Sequence, residues 1–321
     1  MFENLDLKTK VFAELDQVVK PDAILATNTS SLDIDKIAAA TDRRENVLGV
    51  HFFSPANVMR LVELVKGGQS SPSTMATLLG VAKKLGKLGV IAGNCFGFIG
   101  NRMMRPYIRE AQFLVEEGAS VEQVNSALYD FGMAMGPLAM LDQIGLDVIW
   151  SIEEAARELE SVDVRRPLVL KHLLDAVRLG QKSGSGWSTI DQRRKPVADP
   201  EVEQMIAQVA TGAGICRREI GREEIVERCI FALINEGVRI LEDGIARQPS
   251  DIDVVYLSGY GFPAWRGGPM FYANTLGTQA VFDKITGFER RFGPELWTPA
   301  PLLERLVTER RSLGSKAAEA A

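Results

Sequence analysis

The chain has 321 residues, 46% hydrophobic and 25% charged, which is apolar enough for about two domains or three small ones and excludes a disordered or fibrous chain. A formal charge of -5, from 42 acidic and 37 basic residues, argues against nucleic-acid binding as the main activity. Cys95, Cys216 and Cys229 are too few and too scattered for a disulfide framework or a cysteine metal site.

Residues 1–93 read as alternating helices and strands. Leu7, Val11, Leu15, Val18 and Val19 recur at helical spacing between Asp6 and Lys20, and Pro21 ends that helix. The apolar run Ala23-Ile24-Leu25-Ala26 leads into the small polar group Thr27-Asn28-Thr29-Ser30-Ser31, as a strand gives way to a turn. A helix is expected from about Asp33 to Ala40, strands at Val47–Phe53 and Leu61–Val65, a helix at Thr74–Leu85 and a last strand near Gly89–Ala92. Strands separated by helices imply a mostly parallel sheet covered on both faces.

After Cys95 the pattern becomes helical. Phe98 to Glu117 carries Ile99, Met103, Tyr107, Ala111 and Leu114 along one side and stops at Gly118. Ser120 with Gln123 makes a capping box for a helix to Tyr129. Further helices are expected at Leu141–Leu159 and Leu168–Leu179, before a Gly/Ser-rich segment and a polar stretch with two prolines. A boundary falls there, giving segments 1–93, 94–190 and 191–321. The last segment repeats the layout of the one before it. Glu236 and Gly244 are eight apart, as are Glu110 and Gly118, and Gly136-Pro137 is echoed by Gly268-Pro269. An internal duplication is the expected origin, against two unrelated helical hairpins with ordinary Gly stops.

Candidate chemistry gathers at strand ends. His51 stands near the end of its strand, where ligands dock on a parallel sheet. Glu63, in the otherwise apolar strand Leu61–Val65, needs a partner, because a buried lone carboxylate is costly. A His51–Glu63 dyad would fix the histidine tautomer for proton transfer, and a satisfied polar pair joining two strands is an equal alternative. Ser30 and Asn101 could hold a ligand oxygen, or serve only as turn and cap residues. His172, on an amphipathic helix, reads as a surface or core-edge residue. Gly259-Tyr260-Gly261-Phe262-Pro263-Ala264 matches a loose dinucleotide string but has a proline inside and no strand–helix context. Arg193-Arg194-Lys195 reads as solvated linker charge.

At these residues the chain resembles the 3-hydroxyacyl-CoA dehydrogenase family. It looks most like the dehydrogenase part of the multifunctional β-oxidation enzymes, which pair that activity with enoyl-CoA hydratase. The resemblance is carried by Glu3-Asn4-Leu5 with Lys8, Asn28-Thr29-Ser30-Ser31, His51-Phe52-Phe53-Ser54-Pro55 and Leu61–Val65. It continues through Gly97-Phe98-Ile99-Gly100-Asn101-Arg102, Met135-Gly136-Pro137, Lys182–Trp187 and Ser258–Pro263, over nearly the whole chain. It implies a partial Rossmann-type α/β sheet followed by two duplicated all-α dehydrogenase C-terminal domains. It implies NAD as cofactor and a 3-hydroxyacyl-CoA as substrate. By the same resemblance His51 is the general base, Glu63 its charge partner, and Ser30 and Asn101 the residues holding the 3-oxygen. Glu3, Lys8 and Asn28 then lie on the ribose and nicotinamide side of NAD.

One departure bears on activity. The family's strand, Gly-x-Gly-x-x-Gly turn and helix do not occur in these 321 residues, so the chain alone is expected to have weak activity. A separately encoded N-terminal complement and a β-oxidation thiolase are the candidate partners. An inactive fragment or a non-catalytic acyl-CoA-binding subunit is the alternative. No apolar run approaches the roughly 20 residues of a membrane span. Met1 precedes an acidic amphipathic segment rather than a secretion signal, and Ala318-Glu319-Ala320-Ala321 is no peroxisomal address, so the cytoplasm is expected.

Overall fold

The structure, a computed structural model, describes residues 3–159, 164–193 and 195–314, so the expectations for Met1, Arg194 and Ala318–Ala321 lie outside the described residues. Along the chain run α1 (Leu5–Val18), β1 (Leu25–Thr27), α2 (Ile34–Ala38), β2 (Val47–Phe52), β3 (Leu61–Lys66), α3 (Pro72–Lys84) and β4 (Leu88–Gly93). Five helices follow: α4 (Gly100–Glu117), α5 (Val121–Phe131), α6 (Pro137–Ile144), α7 (Leu146–Arg157) and α8 (Val169–Asp175). A short hairpin, β5 (Thr189–Ile190) and β6 (Pro196–Val197), precedes α9 (Pro200–Gly212), α10 (Arg222–Glu242) and α11 (Pro249–Gly259). The chain closes with α12 (Pro269–Leu276), α13 (Thr278–Phe292), α14 (Pro294–Trp297) and α15 (Pro301–Thr308).

The backbone packs into two compact units that cut across chain order. Among the described residues, one comprises 3–103, 236–282 and 300–314, the other 104–235 and 283–299.

In the first unit the strands lie in the order β1-β2-β3-β4, with β1 at an edge. β1 pairs parallel to β2 and β3 parallel to β4, but β2 and β3 run antiparallel. The sheet is thus mostly parallel, as its strand–helix alternation implies, with one antiparallel pairing that the sequence did not locate. The reason is the link: residues 53–60 form no crossover helix, and only a crossover returns a chain to run parallel. One face of the sheet packs Leu48, Val62 and Leu64 against Met75 and Ala82 of α3. Leu25 and Val47 meet Phe12 of α1 and Ile37 and Ala38 of α2. α11 lies against β3 and β4, and the Gly93 amide donates to the Ile245 carbonyl at 2.8 Å. Arg102 bridges Glu236 and Asp243, each at 2.7 Å.

The second unit is helical. The capping box of α5 forms as its sequence predicts, with Gln123 N 3.0 Å from Ser120 Oγ and Ser120 N 2.8 Å from Gln123 Oε1. The single helix expected over Leu141–Leu159 is broken in two by Gly145, whose φ of 105° no helix accommodates. Apolar periodicity continues through that break, so it gave no warning. α9 was not expected either: its start, Asp199-Pro200, reads equally as linker or as N-cap followed by N1 proline. In the core of this unit Arg228, 1% exposed, pairs with Glu110 at 2.9 Å and Glu117 at 2.5 Å and stacks on Phe292. Burial makes this pairing obligatory for all three charges.

The same local device appears twice. In the second unit Asn125 Oδ1 caps α6 by accepting from Leu138 N (3.0 Å) and Ala139 N (3.3 Å). In the first unit Asp253 Oδ1 caps α12 by accepting from Met270 N (2.8 Å) and Phe271 N (3.3 Å). A Cβ on Gly136 would lie 2.4 Å from Asn125 Oδ1, and one on Gly268 would lie 2.3 Å from Asp253 Oδ1. The two caps differ in charge. Burial pushes the Asp253 carboxyl up to about 6, although the Met270 and Phe271 amides pull it down. Its folded pKa thus exceeds the unfolded value of about 3.9, so the cost of ionisation is absent at low pH, grows as pH rises from about 4 to about 6, and is constant above that. Asp253→Asn, which copies the Asn125 cap, should add on the order of 1 kcal/mol at pH 7.5 and less than half of that at pH 4.5. Thermal melts at the two pH values check this; an equal shift at both would assign the effect to packing instead.

Candidate active site

The antiparallel register places His51 directly opposite Glu63. His51 Nδ1 lies 2.7 Å from Glu63 Oε2, and both residues are buried. The other carboxylate oxygen, Oε1, accepts from the backbone amides of Gly100 (3.0 Å) and Ile99 (3.2 Å) where α4 begins. This resolves the cost of a carboxylate that is 0% exposed in an apolar strand. One oxygen satisfies the orphan donors of a helix N-terminus and meets its positive dipole end, and the other orients the histidine. The imidazole sits against Phe53 (4.5 Å between centroids) and edge-on to Phe98 (5.8 Å). With Nδ1 engaged by Glu63, Nε2 is the nitrogen left to move a proton.

A second polar group forms where β1 ends. Glu3 Oε1 accepts from Ser30 N at 2.8 Å and from the Thr29 hydroxyl, and Ser30 Oγ is 3.4 Å away. Lys8 Nζ, almost fully buried, donates to Glu3 Oε2 at 2.8 Å and to the Asn28 carbonyl at 2.6 Å. Partial burial would raise the Glu3 carboxyl, but Lys8, Thr29 and Ser30 together hold it below the usual range. Asn28 Oδ1 accepts from Phe52 N at 3.1 Å, tying this turn to β2 beside His51. Asn101 Nδ2 donates to the Ser30 carbonyl across a long 3.5 Å.

The seven residues singled out in the sequence therefore form two adjoining groups. One is the dyad at the start of α4. The other is the β1 turn, reached by Asn101 from the first turn of α4. His172 stands apart from both: it is exposed on α8, with Nδ1 3.1 Å from the Leu168 carbonyl. The sequence reading missed two contributors, the Ile99 and Gly100 amides and Tyr260, whose hydroxyl donates to Asn101 Oδ1 at 2.6 Å. Backbone donors carry no residue-type signal, and Tyr260 lies 159 positions from Asn101.

Residues 1–95 match the family described as 3-hydroxyacyl-CoA dehydrogenase, NAD binding domain, and residues 97–190 and 225–320 match 3-hydroxyacyl-CoA dehydrogenase, C-terminal domain. The chain belongs to the 3-hydroxyacyl-CoA dehydrogenase family. It is 45% identical over 324 residues to the peroxisomal bifunctional enzyme of Danio rerio, covering 96% of this chain and 45% of that one. The chain thus spans about half the length of the curated relatives it matches. Its fold is similar to that of 3-hydroxybutyryl-CoA dehydrogenase from Escherichia coli (TM-score 0.81, 27% identity, 96% of this chain and 80% of that one). It is also similar to the dehydrogenase part of multifunctional enzyme 1 from C. elegans (TM-score 0.67, 30% identity, 95% and 70%).

NAD is the cofactor of this dehydrogenase family, and the β1 turn offers polar groups whose chemistry is compatible with part of it. A carboxylate (Glu3), an ammonium (Lys8) and an amide (Asn28, whose NH2 stays available after Oδ1 takes the Phe52 amide) suit ribose hydroxyls and a carboxamide.

Proposed function

We propose that this chain supplies the catalytic groups for NAD-dependent oxidation of an (S)-3-hydroxyacyl-CoA to the 3-oxoacyl-CoA in fatty-acid β-oxidation. The observation that carries the reading is the buried His51–Glu63 pair, 2.7 Å apart and locked to the first amides of α4. His51 Nε2 takes the proton of the 3-hydroxyl, and Glu63 stabilises the imidazolium that forms. NAD, when bound, accepts the hydride that leaves C3. Ser30 and Asn101 hold the oxygen while its bond to C3 becomes double, and their donors stabilise the negative charge that gathers on it. Glu3, Lys8 and Asn28 hold the nicotinamide side of the cofactor. In the reverse direction His51 returns the proton.

The helical part, in this reading, arose by duplication, with segments 94–190 and 191–321 as its two copies beside the partial Rossmann-type segment 1–93. Two separate matches to one C-terminal domain family support it, as do the paired caps at Asn125 and Asp253.

The test is an assay of NADH formation from (S)- and (R)-3-hydroxyacyl-CoA, with a Gly-rich dinucleotide-binding segment supplied in the same chain or as a separate one. Turnover confined to the (S) substrate is expected. A stable, assembled protein that binds acyl-CoA but forms no NADH would favour a non-catalytic binding subunit.

A further inference from the structure

The aromatic segment closing α11 takes no part in the chemistry above, yet it ends on Asn101. The Tyr260 hydroxyl donates to Asn101 Oδ1 at 2.6 Å, while Nδ2 of the same amide donates to the Ser30 carbonyl at 3.5 Å. A carbonyl can only accept, so the nitrogen must face Ser30 and the oxygen must face Tyr260. Tyr260 is itself held from several sides. Its ring stacks on Tyr256 (4.8 Å) and meets Phe53 edge-on (5.6 Å), and Phe53 in turn lies against His51. A Cβ on Gly100 would fall 2.4 Å from the ring, so only glycine admits it there. The Tyr256 hydroxyl donates to the Gly100 carbonyl at 3.0 Å, fixing the same turn of α4. Burial, with the Glu63 charge nearby, pushes the Tyr260 phenol well up, so it keeps its proton and stays a donor.

We propose that Tyr260 is a positioning residue for the dehydrogenase reaction, locking the Asn101 side chain with its NH2 turned toward the substrate's 3-oxygen. The inference rests on the function proposed above and adds a contributor from the last third of the chain. An Asn side chain has two nearly isosteric orientations, and only one presents a donor to that oxygen. The Ser30 carbonyl, which can only accept, selects that orientation, and the hydrogen bond that Tyr260 donates to Oδ1 holds it and polarises the amide, which strengthens its N–H donors. The donor matters most when negative charge develops on the oxygen, so its loss acts on turnover more than on substrate binding.

Tyr260→Phe removes the hydroxyl and keeps the packed ring. In the assay defined above it should lower kcat about tenfold with KM changed less than about twofold. In an Asn101→Ala background the same substitution should cost less than about twofold, because the group it acts through is gone. Equal losses in the two backgrounds would mean a general structural role and overturn the proposal. A wild-type protein that turns over no faster than His51→Gln would refute the dehydrogenase reading instead. The Asn101 side-chain amide signals in nuclear magnetic resonance then decide the positioning by themselves. Two resolved NH2 resonances that broaden or shift in Tyr260→Phe support it, and unchanged resonances overturn it.

Discussion

His51→Gln should lower kcat for 3-hydroxyacyl-CoA oxidation by about a thousandfold while KM and thermal stability change little. Glutamine is chosen because its amide can still donate toward Glu63, so the buried carboxylate keeps a hydrogen bond and the protein keeps its fold. What it lacks is a group able to accept the hydroxyl proton at neutral pH. The residual rate would come from orientation and from the donors on Ser30 and Asn101. Steady-state kinetics alongside thermal melts separate the possibilities. A loss of less than about tenfold would leave His51 as a satisfied polar residue and move the base elsewhere.

Glu63 should respond differently to different replacements, because its two oxygens have different duties. Glu63→Gln can keep a carbonyl oxygen on the Ile99 and Gly100 amides, but it then turns an NH2 toward His51 Nδ1. Nδ1 must become the acceptor, the ring proton moves to Nε2, and the base is blocked by its own tautomer. A fall in kcat of about a thousandfold is expected with the fold intact. Glu63→Ala removes both partners at a site that is 0% exposed and strands two helix-terminal amides away from water. It should therefore also cost about 3 kcal/mol of stability. Kinetics and denaturant unfolding of the two variants provide the check. Full activity in Glu63→Gln would remove the carboxylate from the mechanism, and equal stability of the two variants would remove its helix-capping duty.

Sequence alone made the dyad legible because Glu63 breaks an otherwise apolar strand and His51 is one of only two histidines. Strand alternation could not show that the two face each other across an antiparallel pairing. That follows from the short 53–60 link, which carries no strong periodic signal. The α5 capping box was readable from Ser120 and Gln123 since both of its bonds are local. The Gly145 break was not, since one glycine inside apolar periodicity is tolerated as often as it terminates a helix. Tyr260 stood in a Gly-Tyr-Gly-Phe-Pro run that is plainly poor helix material, yet nothing local says which residue 159 positions away its hydroxyl will meet.

The interleaving of the first unit has a genetic consequence. His51, Glu63, Ser30, Asn101, Glu3, Lys8 and Asn28 are all encoded before codon 102. Yet the partner of Gly93, the counter-ions of Arg102 and the tyrosine against Asn101 are all encoded after codon 235. A stop codon in the linker near residue 190 would spare all seven of these residues and still remove the groups they lean on. Lesions scattered through the distal third of the reading frame therefore belong with active-site lesions when variants of this gene are sorted by effect.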